Sequence, residues 1–121
     1  MSDPAGLLVA VVDDESRILE ALQSLLEAAG HTACVFESGP AFLESDMLAR
    51  ADCVITDLRM PGMDGLELQR VVNAARPQLP IIFMTGRLDA IPMIAVGDRG
   101  CRAVFAKPFD GKELLRALLP A

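Results

Sequence analysis

The run LLVAVVDDESRILEALQSLLEAAG, residues 7–30, decides how the chain reads. Its first six residues, LLVAVV (7–12), are apolar throughout and half of them are valine. Such a run, without polar alternation, suits a strand buried on both faces of a sheet. After the acidic pair the period changes. Ile18, Leu22, Leu25 and Leu26 fall on one helical stripe, and Gly30 is a natural C′ stop. A strand with two buried faces needs helices on both, so this unit predicts an α/β fold.

The same alternation runs down the chain. TACVF (32–36), CVIT (53–56), IIFM (81–84) and AVFA (103–106) read as four more buried strands. Ser38 is placed to cap a second helix through Phe42 and Leu43. Asp64 is placed to cap a third, with Leu66, Leu68, Val71 and Val72 at its apolar positions and Pro77 forbidding continuation. A fourth falls within LDAIPMIAVGDR (88–99), where Pro92 and Gly97 make it short and marginally stable. DGKELLRALL (110–119) gives a fifth, with Asp110 as cap and Glu113 at the capping-box position. Five strand–helix pairs predict a three-layer (βα)5 sandwich. Right-handed crossovers leave the flavodoxin-like parallel order 2-1-3-4-5 as the commonest topology at this size.

Bulk composition narrows the class. A chain of 121 residues suits one domain spanning 1–121, with a core over about 7–119. It is 52% hydrophobic but only 4% aromatic, so the core must be aliphatic. The net charge of -6 argues against direct nucleic-acid binding, which draws on clustered Lys and Arg. Cys34, Cys53 and Cys101 form no CxxC pair and read as small core residues in a reducing compartment. His31 reads as structural. No run approaches the length of a membrane span and no leader precedes the first strand, so a cytoplasmic domain without a membrane partner is expected.

In this topology ligands bind at the carboxyl ends of the strands, where the strand order reverses. Strand one ends in Asp13 and Asp14, strand three in Thr56 and Asp57, strand four in Thr85 and Gly86, and strand five in Lys107. Three carboxylates brought together repel unless a cation intervenes. Oxygen ligands without His or Cys suit a hard ion, Mg²⁺ best, with Mn²⁺ as an alternative. Few protein ligands leave room for a phosphate oxygen. Lys107, Thr85 and the Gly86 N–H are the donors a phosphoryl group requires. Asp57 is the candidate nucleophile, through an aspartyl-phosphate.

Asp13-Asp14, Asp57 followed by LRMPGMDG, Thr85-Gly86 and Lys107-Pro108-Phe109 together resemble a response-regulator (CheY-like) receiver domain of two-component signalling, from about Leu7 to Leu119. The run DLRMPGMDGLELQR is most similar to receivers that precede helix-turn-helix DNA-binding domains. The resemblance implies that Asp57 takes a phosphoryl group from a sensor histidine kinase or phosphotransfer protein. It implies direct metal ligation by Asp14, Asp57 and the main-chain carbonyl of Arg59, with Asp13 acting through water. Thr85 and Lys107 would hold the phosphoryl oxygens, a cis Lys107–Pro108 bond would aim the ammonium, and Met60-Pro61-Gly62 would shape the loop after Asp57. Phosphorylation would switch an interaction face made by the fourth helix, fifth strand and fifth helix, which could also serve self-association. Such a domain is no conventional turnover enzyme, although it catalyses its own phosphorylation and dephosphorylation.

One position departs from the pattern. Many receivers carry Tyr or Phe three residues before the lysine, where this chain has Val104, followed by Phe105. Either Val104 packs without a large flip, or a register change lets Phe105 serve as the aromatic switch. Arg59 and Arg87, two residues after Asp57 and Thr85, flank the site and are candidates for tuning phosphoryl lifetime. Two competing functions remain. One is an interaction module that works without phosphorylation. The other is a phosphatase with an aspartate nucleophile, which Arg59 disfavours because such enzymes commonly carry a second acid at that position.

Overall fold

Pairing of the apolar runs gives one sheet. The computed structural model describes residues 6–86, 101–107 and 110–118. Its strands are β1 (Leu8–Val12), β2 (Thr32–Phe36), β3 (Cys53–Asp57), β4 (Ile81–Thr85) and β5 (Cys101–Ala106). They are all parallel in the order β2-β1-β3-β4-β5, as the sequence predicts. The helices are α1 (Ser16–Ala28), α2 (Gly39–Leu43), α3 (Met47–Arg50), α4 (Gly65–Ala75) and α5 (Gly111–Leu118). The helix expected within residues 88–99 lies outside the described residues.

Both sheet faces are covered. Every position of β3 and β4 is buried, which is why these runs carry no polar alternation. Alternate residues serve two aliphatic cores. Ala10, Val12, Val54, Ile81 and Phe83 pack with Phe42, Leu68 and Val72. Val9, Val11, Ile55, Ile82 and Met84 pack with Leu19, Leu22, Leu26, Leu114 and Leu118. Cys53 is buried, its thiol donating to Val54 O, and Cys34 is half-buried. Among the described residues no helix is long and apolar enough to cross a membrane.

Local chemistry sets the element ends. Leu19, Leu22 and Leu26 are the buried stripe of α1, while Ile18 and Leu25 sit half-buried at its margin. The helix closes in a Schellman motif. Gly30 takes φ 94°, its N–H donates to Glu27 O, and the His31 N–H donates to Leu26 O. His31 is buried, and its Nδ1 accepts the Leu7 N–H at 3.0 Å. The second predicted helix forms as α2, and a further short helix, α3, follows it that the sequence reading does not include. Ser38 caps α2 by accepting the Ala41 N–H. The Ser45 hydroxyl then donates to Phe42 O and accepts the Met47 N–H, closing α2 and opening α3.

β3 and β4 each run one residue beyond the predicted strand, taking in Asp57 and Thr85. β5 begins earlier than predicted. Ile81 pairs with Cys101 but Ile82 with Ala103, so Arg102 is an extra residue in the ladder, a β-bulge.

Candidate functional site

The carboxyl edge of the sheet gathers the acidic residues. β1 delivers Asp13 and Asp14, and β3 delivers Asp57, with carboxylate oxygens of all three within 4.8 Å of one another. Asp13 and Asp57 are buried and Asp14 is exposed. Thr85, buried at the end of β4, receives the Lys107 N–H on its carbonyl at 2.8 Å, which fixes where β5 turns into the site. Gly86 is exposed, and a Cβ there would meet nothing within 4 Å.

Lys107 reaches into this cluster. Its ammonium donates to Glu15 Oε1 at 3.0 Å and to Asp57 Oδ2 at 3.2 Å. It also stands 3.0 Å from Asp13 Oδ2, but without hydrogen-bond alignment, so that buried oxygen has charge contact alone. Burial pulls the Lys107 pKa down. The hydrogen bond to Glu15, the close contact with Asp13 and the charges of Asp13 and Asp57 outweigh it and leave the pKa above its ordinary 10.5. Burial pushes the Asp13 carboxyl above its ordinary 3.8, although the Glu15 N–H donates to Oδ1 at 2.8 Å and Lys107 lies alongside.

The donor set fits a hard divalent cation. Oxygens on one octahedral Mg²⁺ stand about 3 Å apart when adjacent and about 4.2 Å apart when opposite, at the usual metal–oxygen length. The three carboxylates lie within 4.8 Å of one another, close enough for small side-chain shifts to bring them onto one ion, and the unaligned Asp13 Oδ2 has capacity for metal-bound water.

The loop after Asp57 is held closely. The Arg59 N–H donates weakly to Asp57 Oδ1 at 3.4 Å, and the Arg59 side chain is exposed. Gly62 takes φ 76°. Gly65 opens α4 directly against the backbone that follows Asp57. A Cβ there would stand 2.6 Å from Asp57 O and 3.0 Å from Leu58 Cα. Asp64 caps this helix reciprocally with Glu67. A surface cavity of about 400 Å³ beside the loop is lined by Arg59, Met60, Pro61 and Asp64.

Arg87 and Pro108, and with Pro108 the expected cis bond, lie outside the described residues. Val104 pairs with Phe83 and packs on the core that holds Phe42 and Leu68. Phe105 pairs with Met84 and packs on the opposite core, with the leucines of α1 and α5. The bulge precedes both and leaves them on opposite faces. Glu15 is the residue that sequence reasoning missed. Its one signal is a third acid directly after the Asp13-Asp14 pair.

These features define a doubly wound α/β domain with a cation-competent acidic cluster around a lysine at the switch point of its sheet. The sequence matches the family model of the response regulator receiver domain over residues 9–119. It is 37% identical over 121 residues to the response regulator protein TodT of Pseudomonas putida, covering all of this chain and 53% of that protein. It is 39% identical over 106 residues to the DNA-binding transcriptional regulator NtrC of Escherichia coli K12, covering 88% of this chain and 23% of that protein. The crystal structure of a response regulator receiver domain protein from Clostridium thermocellum superposes with a TM-score of 0.84 at 29% identity, covering 93% of this chain and 90% of that one. The chain belongs to the response regulator receiver domain family, the signalling module of two-component systems. It spans about half the length of TodT and less than a quarter of NtrC.

Proposed function

We propose that this domain, as one unit over residues 1–121, accepts a phosphoryl group on Asp57 from the phosphohistidine of a sensor kinase or phosphotransfer protein. A carboxylate oxygen of Asp57 attacks phosphorus and a P–O bond forms. The P–N bond to the donor imidazole breaks, and its electron pair stays with that imidazole. Water later attacks the acyl phosphate, releasing inorganic phosphate and restoring the Asp57 carboxylate. Lys107 meets the developing charge on the phosphoryl oxygens. Thr85 and the Gly86 N–H would supply further donors from the end of β4. Asp14, Asp57 and the Arg59 carbonyl would hold Mg²⁺ directly, with Asp13 through water. The ion supplies charge neutralisation at the transferring group.

The observation that carries this reading is the meeting of Asp13, Asp14 and Asp57 within 4.8 Å at the switch point, with Lys107 hydrogen-bonded to Asp57. Phosphorylation adds about −1.5 to −2 charges there and biases two packings of the adjoining elements. The readout face would be the segment after β4 together with β5 and α5, with self-association as one outcome. A DNA-binding output, such as the name DNA-binding transcriptional regulator gives NtrC, would belong to sequence outside this domain. Incubation with acetyl phosphate and Mg²⁺ tests the reading. The wild-type chain takes up close to one phosphoryl group per molecule, and Asp57→Asn takes up none. Stoichiometric labelling of Asp57→Asn would refute the assignment.

A further inference from the structure

We infer that Glu15 is a positioning residue that holds Lys107 back from the phosphoryl group, so that phosphorylation must first exchange one lysine partner for another. The inference rests on Asp57 as phosphoacceptor and goes beyond it. The geometry begins with proton count. An ammonium has three N–H donors. Two are taken by Glu15 Oε1 and Asp57 Oδ2, and the third side of the nitrogen faces Asp13 Oδ2. The nitrogen thus has a carboxylate oxygen on every side, and an incoming anion must displace one of them.

The three carboxylates differ in their ability to give way. Asp13 is fully buried, with Oδ1 tied to the Glu15 N–H. Asp57 is itself the acceptor and stays in the site once phosphorylated. Glu15 has a side chain that is 60% exposed, and it stands at the N-cap of α1 without making a cap hydrogen bond. Its carboxylate is therefore the one that can return to water at little cost when a phosphoryl oxygen takes the ammonium. A half-exposed ion pair of this kind is weak. It is suited to setting the ease of exchange, not to blocking it.

Equilibrium binding of beryllofluoride, a phosphoryl mimic, with Mg²⁺ present separates the possibilities. Glu15→Gln should tighten binding about two- to fivefold, the range open to a solvent-exposed pair. Glu15→Asp keeps the charge but withdraws it by one methylene, and should tighten binding nearly as much. In a Lys107→Met background the Glu15→Gln gain should vanish. Tightening by Glu15→Gln alone, persisting without Lys107, would mean that Glu15 acts only through its field, and overturns the inference. So would unchanged binding in both Glu15 variants. If the wild-type chain binds no beryllofluoride, the phosphoacceptor reading fails and this inference falls with it. Wild-type binding with no Glu15 effect sinks the inference alone. Urea unfolding of each variant shows whether the fold is retained.

Discussion

Asp13 is held by two opposed demands. The cluster needs its charge, yet burial resists that charge and raises its pKa above 3.8. A proton held more tightly in the folded than in the unfolded chain stabilises the fold fully below the ordinary value, and this contribution is lost as pH rises through the folded value. At neutral pH ionised Asp13 is thus a cost to the metal-free protein. Asp13→Asn should therefore raise its stability at neutral pH, with Glu15 and Asp57 still pairing Lys107. Urea unfolding in EDTA would show this, and a destabilised Asp13→Asn would mean that the contact with Lys107 dominates. Lys107 has the opposite sense at neutral pH. Its pKa is raised from 10.5, so its contribution is complete below 10.5 and lost only as pH climbs through the folded value, in strong alkali. Arg59 poses a separate question at the same scale. Its exposed guanidinium can change the field on attacking water, so Arg59→Ala should shift the dephosphorylation rate. A change of less than about twofold, within what an exposed charge leaves unmeasured, would leave Arg59 without that role.

At the scale of elements, α4 is the part most closely fitted to the site. Its first residue, Gly65, lies on the backbone of Asp57 and Leu58, and its N–H donates to Leu58 O at 2.9 Å. Backbone cannot move aside as a flexible side chain can. Gly65→Ala should therefore cost about 1–3 kcal/mol, the usual penalty of overpacking, and should weaken Mg²⁺ binding as the Asp57 end of β3 shifts. Asp64→Ala, which removes only the cap beside it, should cost about 1 kcal/mol and leave metal affinity nearly intact. Isothermal titration with Mg²⁺ alongside urea unfolding distinguishes the two. Equal losses of metal affinity would show that the helix end, and not the glycine contact, positions Asp57. The caps were legible beforehand because they are local: Ser38, Asp64 and the Gly30 stop lie within a few residues of the groups they satisfy. The short helix α3 was not legible, because its start turns on one hydroxyl, that of Ser45, which also serves the end of α2.

Across the whole molecule, legibility followed the same physical line. The central strands β3 and β4, buried on both faces, show as unbroken apolar runs, and so do the edge strands β2 and β5, which are only half-buried where full burial was expected. Crossover handedness leaves few orders, of which 2-1-3-4-5 is the commonest at this size, so the sheet and its switch point could be read from residues 7–12, 32–36, 53–56, 81–84 and 103–106. The acids and Lys107 could be read because each terminates such a run. The tie from Glu15 to Lys107 spans most of the chain and depends on side-chain reach, which spacing does not encode. The opposite-face packing of Val104 and Phe105 depends likewise on where the bulge at Arg102 falls. The metal-free domain therefore concentrates part of its net charge of -6 at one sheet edge, with a single lysine among those carboxylates. An ion that binds there only in the folded state must stabilise the whole fold. At a hundredfold excess over its dissociation constant the gain is about 2.7 kcal/mol. Asp14→Asn and Asp57→Asn should lose most of that increment. Asp52→Asn is the control. Its carboxylate accepts the Leu8 N–H at the opposite edge of the sheet, so the substitution should lower stability yet keep the full Mg²⁺ increment. Thermal unfolding at constant ionic strength, with and without Mg²⁺, measures all four proteins. Equal increments in every variant would mean that the ion merely screens a diffuse negative surface, and the edge of β1 and β3 would lose its standing as the metal centre.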